Sequence, residues 1–114
     1  PTTLITDAQM GLFVARADAV IVGADSHLPD GSLINKAGTY LLALAARDQG
    51  IPFYVCSERF KQRSVDWGDP EFEQMDPGEL GAPVWAGVTV ANEYFDRTPA
   101  GLISAWFDEH GRER

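Results

Sequence analysis

Two short apolar runs flank a long helical pattern, and this order restricts the fold more than any other feature of the sequence. The runs AVIVGA (19–24) and IPFYVCS (51–57) have the length and composition of strands that are covered on both faces. Between them, an apolar stripe at helical spacing extends from about Asn35 to Gly50. Because parallel strands need a crossover connection, usually a helix, the order strand, helix, strand predicts a parallel sheet.

The remaining segments extend this pattern along the chain. A β-branched run covers 3–6, a helix is predicted over 8–17, and a further strand is predicted within 84–92. The last segment, 98–110, is predicted to be a helix with Thr98 as its N-cap. The buried face of this closing helix is predicted to consist of Leu102, Ile103, Trp106 and Phe107.

At 114 residues the chain fits one domain, 1–114, with a mostly parallel α/β sheet and helices on both faces. Three or four strands are few for a complete domain of this class, so a partial domain is expected. The segment 58–83 is charged and rich in turn residues, and a long loop of this kind is usually functional or mobile.

The composition narrows the classes of partner. A formal net charge of −8 argues against direct binding of nucleic acid or of an anionic membrane surface. No apolar run approaches the roughly 20 residues of a membrane span, and no signal peptide is visible. The single cysteine, Cys56, excludes an internal disulfide and suits a reducing compartment, so a cytoplasmic protein is expected. No His, Cys and Asp spacing predicts a metal site, and no cofactor is expected.

The candidate chemistry lies where the first apolar run ends. Ligands of parallel sheets bind beyond the carboxyl ends of the strands, and Asp25 falls there, after the unobstructed backbone of Gly23 and Ala24. Asn35 and Lys36 are predicted near the start of the next helix, whose free N–H groups and the added lysine charge would attract a phosphate. The pattern therefore indicates an acid for proton transfer beside a site for a phosphorylated ligand.

Structural readings of the same residues stay open. An aspartate after a strand is often only a turn residue, Asn35 can be a helix cap, and Lys36 can be a solvated charge. For Lys61, which follows the second apolar run, a solvated charge is favoured over a ligand contact. Inert packing inside a strand is favoured over catalysis for Cys56. The chain contains neither the dinucleotide-binding pattern G-x-G-x-x-G nor the P-loop pattern G-x-x-x-x-G-K-[ST].

Over nearly its whole length, the chain resembles the C-terminal half of the initiation factor 2B family. The resemblance rests on VIVGAD, DGSLINKAGTYLLALAA, IPFYVCSERFK and NEYFDRTPAGLISAWFDEHG, in that order. The family joins regulatory subunits of translation initiation factor 2B with isomerases of methylthioribose 1-phosphate and ribose 1,5-bisphosphate. It implies a Rossmann-like domain, preceded by a helical domain that is absent here, and a homodimer formed through the Rossmann-like half.

The resemblance also implies roles for individual residues. Asp25 is similar to the aspartate that works with an upstream cysteine in aldose–ketose isomerisation, and Asn35 and Lys36 correspond to residues that hold the phosphorylated sugar. The upstream cysteine segment is absent from these 114 residues, and Cys56, which follows a later strand, cannot replace it. The chain alone is therefore expected to be inactive.

Two departures bear on the choice within the family. Methylthioribose-phosphate isomerases usually read G-A-D-R and N-G-D, whereas here Ser26 follows Asp25 and the second motif is replaced by Asp30-Gly31-Ser32. The run CSERFK, ending at Lys61, is more similar to the C-E-T-Y-K run of the regulatory subunits and ribose-bisphosphate isomerases. The sequence thus favours a ribose 1,5-bisphosphate type of isomerase, with a non-catalytic regulatory subunit that senses a sugar phosphate or nucleotide as the alternative.

Overall fold

The computed structural model describes residues 1–64 and 74–113, and two α-helices and seven strands lie within them. In these two ranges no helix has the length and apolar character needed to cross a bilayer. In chain order the elements are α1 (Met10–Val14), β1 (Val20–Val22), β2 (Ser26–His27), β3 (Leu33–Lys36), α2 (Thr39–Asp48), β4 (Phe53–Cys56), β5 (Phe95–Thr98), β6 (Ala105–Asp108) and β7 (Gly111–Arg112).

The larger sheet has four strands in the order β1-β4-β6-β7. β1, β4 and β6 are parallel, and β7 forms an antiparallel hairpin with β6. The first and second apolar runs are thus neighbouring parallel strands, and α2 lies between them in the chain. The predicted α/β class with a parallel-rich sheet is confirmed.

A second, antiparallel sheet of order β2-β3-β5 changes the interpretation of the loop after β1. Asn35 and Lys36 were predicted to begin a helix, but they are the last two residues of β3. Gly38, whose φ of 107° lies in the left-handed region, separates the strand from α2, so the helix begins only at Thr39. The dipeptide Asp30-Gly31 is the local signal for the β2–β3 hairpin, since Gly31 also has a positive φ.

The prediction of a closing helix over 98–110 is wrong. Ala100–Leu102 is a single 3₁₀ turn, and the following residues pair in parallel with β4 as β6. The Ser104 amide donates to the Phe53 carbonyl at 2.8 Å, and the Phe53 amide donates to the Ser104 hydroxyl at 2.9 Å. These long-range bonds satisfy the backbone of β4, and they override an apolar spacing that also fits a helix.

Three smaller predictions also differ from the structure. Residues 3–6 and 84–92 form no strand, and the helix predicted over 8–17 is the short α1 preceded by a 3₁₀ turn at Asp7–Gln9. The resulting seven strands within the described ranges exceed the three or four that were predicted, because β2, β3 and β5 to β7 lie in segments for which no strand was predicted.

The core lies on the side of the larger sheet that faces α2. The other side of β1 is open: Ile21 is 67% exposed, although the sequence run predicted a strand covered on both faces. Alternation along β1 and β4 therefore decides which side chains are buried. The core cluster consists of Val14, Val20, Leu33, Ala43, Ala46, Phe53 and Val55.

A ring stack joins the two sheets. The His27 imidazole of β2 lies parallel to the Trp106 indole of β6, with ring centroids 3.5 Å apart and an interplanar angle of 6°. Glu113 faces the imidazole, with 3.6 Å between its carboxylate and Nδ1. Burial lowers the pKa of His27 below the usual 6.5, while Glu113 and Asp30 act in the opposite direction.

This shift predicts a pH dependence of stability. The unfolded chain takes up a proton on His27 at a higher pH than the folded chain does. We therefore expect the free energy of unfolding to fall as the pH drops from about 7.5 through 6.5. Urea unfolding across this range measures the effect, and His27→Phe, which keeps an aromatic ring on Trp106, should flatten it. Equal pH dependence in both proteins would assign the titration to another group.

Candidate functional site

Asp25 lies at the carboxyl edge of the larger sheet, as predicted from its place after β1. It is half-buried, its amide donates to the Ile34 carbonyl of β3 at 2.9 Å, and its Oδ2 accepts from the Ser26 hydroxyl at 3.2 Å. Gly23, which precedes it by two residues, is exposed and has open space where a Cβ would lie. The acid is thus fixed by backbone bonds at an edge where a ligand can approach.

The hydrogen bond to Ile34 places Asp25 beside the residues that follow on β3. Asn35 is half-buried, and its side-chain amide donates to the Thr39 hydroxyl at 3.2 Å. The same hydroxyl donates to the Lys36 carbonyl at 2.6 Å, which ties the end of β3 to the first residue of α2. The structure therefore brings Asp25, Asn35 and Lys36 into one region of the backbone.

The Lys36 side chain is exposed and rests on an aromatic ring. Its Nζ lies 4.1 Å from the centroid of Tyr94, a cation–π contact that stabilises exposed pairs by about 0.5–1 kcal/mol. Tyr94 is itself fixed by a hydrogen bond from its hydroxyl to Glu79, which raises the pKa of the phenol. The lysine charge is therefore held near the site while its ammonium remains accessible to an anion.

The N-terminus of α2 does not provide the free amides that the sequence predicted for a phosphate. The Asp96 carboxylate of β5 accepts from the Gly38 amide at 2.8 Å and from the Tyr40 amide at 3.1 Å. A carboxylate at this end of a helix satisfies unpaired N–H groups and complements the helix dipole. The chain's own acid fills the anion position, so the helix N-terminus adds no further binding group to the charge of Lys36.

Lys61 and Gly23 lie in a groove of about 460 Å³ along the carboxyl ends of β1, β4 and β6. Cys56 lines the same groove and is exposed, so the interpretation as inert buried packing is wrong. The groove places Lys61 near the end of β1, but Asp25, Asn35 and Lys36 are not among its lining residues. Those lining residues are Gly23, Ala24, Cys56, Ser57, Glu58, Lys61, Phe107, Asp108 and Glu109.

Three acids and one lysine line this groove, and neighbouring groups moderate its negative charge. Arg59 forms an ion pair with Asp108, and the hydrogen bond from Arg59 lowers the pKa of that carboxyl. The Arg59 amide also donates to the Glu109 carboxylate at 3.0 Å. Because Arg59 neutralises Asp108, the remaining negative charge in the groove beside Lys61 comes mainly from Glu58 and Glu109.

Two residues next to Asp25 were not predicted from the sequence. Arg63 donates through Nε to the Ser26 hydroxyl at 3.1 Å, and its backbone amide donates to the His27 carbonyl at 2.8 Å. In the sequence, Ser26 stands out only as a departure from the G-A-D-R motif. The contact with Arg63 has no local sequence signal, because it spans 37 positions.

The loop predicted over 58–83 is partly ordered by polar contacts. It begins with a 3₁₀ turn at Arg59–Lys61 and contains another at Pro77–Leu80. The buried Asn92 side chain donates to the Asp76 carbonyl and the Glu79 carboxylate, at 2.8 and 3.1 Å. Residues 65–73 of this predicted loop lie outside the described residues.

In the part of the chain that is described, no three His, Cys, Asp or Glu side chains are grouped as metal ligands would be.

Comparison with known proteins gives consistent results. The model of the initiation factor 2 subunit family matches residues 1–112. A translation initiation factor eIF-2B subunit 2-like protein of Pyrococcus horikoshii is 45% identical over 109 residues, covering 95% of this chain and 37% of the relative. A methylthioribose-1-phosphate isomerase of Synechococcus is 42% identical over 120 residues, covering 97% and 36%.

A solved structure extends the similarity to the fold. The crystal structure of 5-methylthioribose 1-phosphate isomerase from Pyrococcus horikoshii superposes with a TM-score of 0.83 at 32% identity, over 96% of this chain and 33% of that chain. This chain therefore spans about a third of the length of the proteins that it matches. Its similarity to them is confined to that third.

Proposed function

Because this chain belongs to the initiation factor 2 subunit family, we propose that it forms the phosphorylated-sugar-binding module of an aldose–ketose isomerase. One contact supports the proposal most: the Asp25 amide donates to the Ile34 carbonyl, and Ile34 is followed on β3 by Asn35 and Lys36. Relatives named as methylthioribose-1-phosphate isomerases, matched over 97% of this chain, support the choice of reaction. The proposed catalytic residue is Asp25, with Gly23, Asn35, Lys36 and Lys61 binding the substrate.

The reaction requires acid–base groups rather than a redox cofactor. The sugar 1-phosphate and its ketose are isomers: the C1–O4 ring bond breaks and O4 gains a proton, C2 loses one proton and C1 gains one, and O2 loses its hydroxyl proton as it becomes the carbonyl oxygen, while O1 keeps the phosphate. A positioned carboxylate can accept and return one of these protons, which is the role we assign to Asp25. Asn35 offers an amide for the sugar hydroxyls, and Lys36 offers a charge for a phosphate.

The positions of the two lysines favour a substrate with two phosphates. Lys36 ends β3 beside Asp25, and Lys61 lies in the groove that continues from Gly23 across the end of β4. Ribose 1,5-bisphosphate carries a phosphate at each end, one for each lysine in this proposal, whereas methylthioribose 1-phosphate carries one phosphate. We therefore assign the ribose 1,5-bisphosphate type to this module.

Calorimetric titration tests this assignment. We expect Lys36→Ala and Lys61→Ala each to weaken binding of ribose 1,5-bisphosphate about tenfold, the effect of losing roughly 1.4 kcal/mol from one charged contact. Only one of the two substitutions should weaken the monophosphate to the same degree. Arg16→Ala, in the exposed turn that follows α1, serves as the control for loss of a positive charge. If Lys61→Ala leaves the bisphosphate affinity unchanged, the two-phosphate assignment is wrong.

A regulatory subunit that senses a sugar phosphate or nucleotide is the second candidate. The relative with 45% identity is named as a subunit-like initiation factor, which favours it. An assay for conversion of the sugar distinguishes the isomerase from the sensor, because only the isomerase turns its ligand into a product. The 114-residue chain is expected to bind without converting substrate, because its one cysteine, Cys56, lies at the end of β4. Conversion that Asp25→Asn abolishes in a longer protein containing this module would establish the isomerase, whereas binding alone would favour the sensor.

We also propose that the module pairs with a second copy through α2. Tyr40, Leu41 and Leu44 form a contiguous apolar face on this helix and are 39%, 62% and 40% exposed. An apolar face of this kind commonly marks an interface, and a two-fold pair would bury the same face from each copy.

Light scattering over a concentration series tests the pairing. We expect a particle of twice the 12.5 kDa chain mass, and the variant Leu44→Glu should reduce it to one chain by introducing a charge into the face. Val84→Glu, at a position that is fully exposed away from α2, is the matched control and should leave the pair intact. A wild-type particle that stays at 12.5 kDa at every concentration contradicts the proposal.

A further inference from the structure

A chain of two hydrogen bonds leads from Arg63 to the candidate acid. Arg63 Nε donates to Ser26 Oγ at 3.1 Å, and Ser26 Oγ donates to Asp25 Oδ2 at 3.2 Å. Ser26 is 1% exposed, so its hydroxyl is shielded from water and depends on these protein partners. The three side chains form a single connected group that ends at the carboxylate.

The chemistry of the groups fixes the direction of both bonds. A guanidinium can only donate, so Ser26 Oγ must accept from Arg63. A serine hydroxyl carries one hydrogen, and with the guanidinium on its acceptor side that hydrogen is directed to Asp25. Without Arg63, the hydroxyl could rotate to other acceptors, and the orientation of the carboxylate would lose its support.

The backbone holds the arginine in register with the serine. The Arg63 amide donates to the His27 carbonyl at 2.8 Å, and the preceding residue, Gln62, forms a parallel bridge with His27. Ser26 and His27 together make up β2. The donor and the acceptor of the first hydrogen bond are therefore anchored to the same short strand.

We propose that Arg63 and Ser26 are positioning residues that orient the Asp25 carboxylate for proton transfer. The bond from Ser26 reaches Oδ2 and restrains the rotation of the carboxylate. This inference rests on the proposed function, because only an Asp25 that transfers protons gives its orientation a catalytic meaning. In this proposal the guanidinium acts on Asp25 through the serine.

We call the chain of hydrogen bonds from Arg63 through Ser26 to Asp25 the relay. The ¹³C NMR resonance of the Asp25 carboxyl carbon, measured in the ligand-free chain, tests whether it forms. We expect its resonance to shift in Ser26→Ala and in Arg63→Gln, and the double variant to shift no further than Ser26→Ala alone, because both act on one bond. Ser26→Thr keeps the hydroxyl and should restore the wild-type position. Arg59→Gln removes a positive charge from the same segment without touching Ser26, so it should leave the resonance in place.

An Asp25 resonance that does not move in Arg63→Gln overturns the relay. If that variant does not fold, Arg63→Lys replaces it, since a lysine keeps the charge but lacks the planar Nε donor and should also shift the resonance. The measurement uses no ligand, so its failure refutes the relay alone. A failure of the calorimetric titration with ribose 1,5-bisphosphate refutes the proposed function and leaves the hydrogen-bond relay intact.

Discussion

Replacing Phe53 by alanine is expected to lower the free energy of unfolding by about 3–5 kcal/mol, the usual loss for a large aromatic side chain in a core. Phe53 is 1% exposed and is the largest fully buried side chain among the described residues. It lies on β4, between β1 and β6, where its removal leaves a cavity that rigid neighbouring strands cannot close. Because small domains have only about 5–15 kcal/mol of stability, urea unfolding should show a much earlier midpoint.

Ile21 supplies the matched control on the opposite side of the same sheet. It is 67% exposed, so Ile21→Ala should cost under about 1 kcal/mol, mainly through lower strand propensity. Similar losses in the two variants would mean that the sheet is covered equally on both faces, contrary to the described packing.

Removal of the Asp96 carboxylate is expected to destabilise the chain by about 2 kcal/mol, because two charge-assisted hydrogen bonds are lost. Asp96 joins β5 to the N-terminus of α2 through the Gly38 and Tyr40 amides. Asp96→Ala leaves both donors without this acceptor and removes a negative charge from the positive end of the helix.

Asp96→Asn separates the hydrogen bonds from the charge. Its carbonyl oxygen can still accept, so the loss of unfolding free energy should be smaller than for Asp96→Ala. Asp48, the last residue of α2, provides the matched comparison: Asp48→Ala removes an equal charge from the negative end and should not destabilise the helix. A neutral effect of Asp96→Ala would show that the helix start does not depend on this contact.

The βαβ unit could be predicted from the sequence because its signals are local. The apolar runs mark β1 and β4 by their length and composition, and the apolar stripe of α2 has a helical period that is visible in the chain. β6 could not be recognised, because Leu102, Ile103, Trp106 and Phe107 recur at a spacing that also suits a helix. Its strand conformation depends on pairing with β4, which is distant in the chain.

The same distinction applies to the site. Asp25 and Gly23 follow directly from the rule that ligands meet the carboxyl ends of parallel strands. Asn35 and Lys36 end β3 and do not begin the helix as predicted, since the left-handed Gly38 delays the start of the helix to Thr39. Asp96, which fills the helix N-terminus, and Arg63, which leads to Asp25, reach the site from distant segments and leave no local pattern.

Mapping of ligand-induced amide shifts by ¹⁵N NMR is the most direct test of the central claim. Titration of the chain with ribose 1,5-bisphosphate should move the amides of Gly23, Asp25, Asn35 and Lys36 first, with Lys61 moving in the same titration. The variant Lys36→Ala should need a higher ligand concentration for the same shifts. An absence of shifts, or shifts confined to residues remote from the carboxyl edge of β1, would contradict the assignment of this region as a sugar-phosphate site.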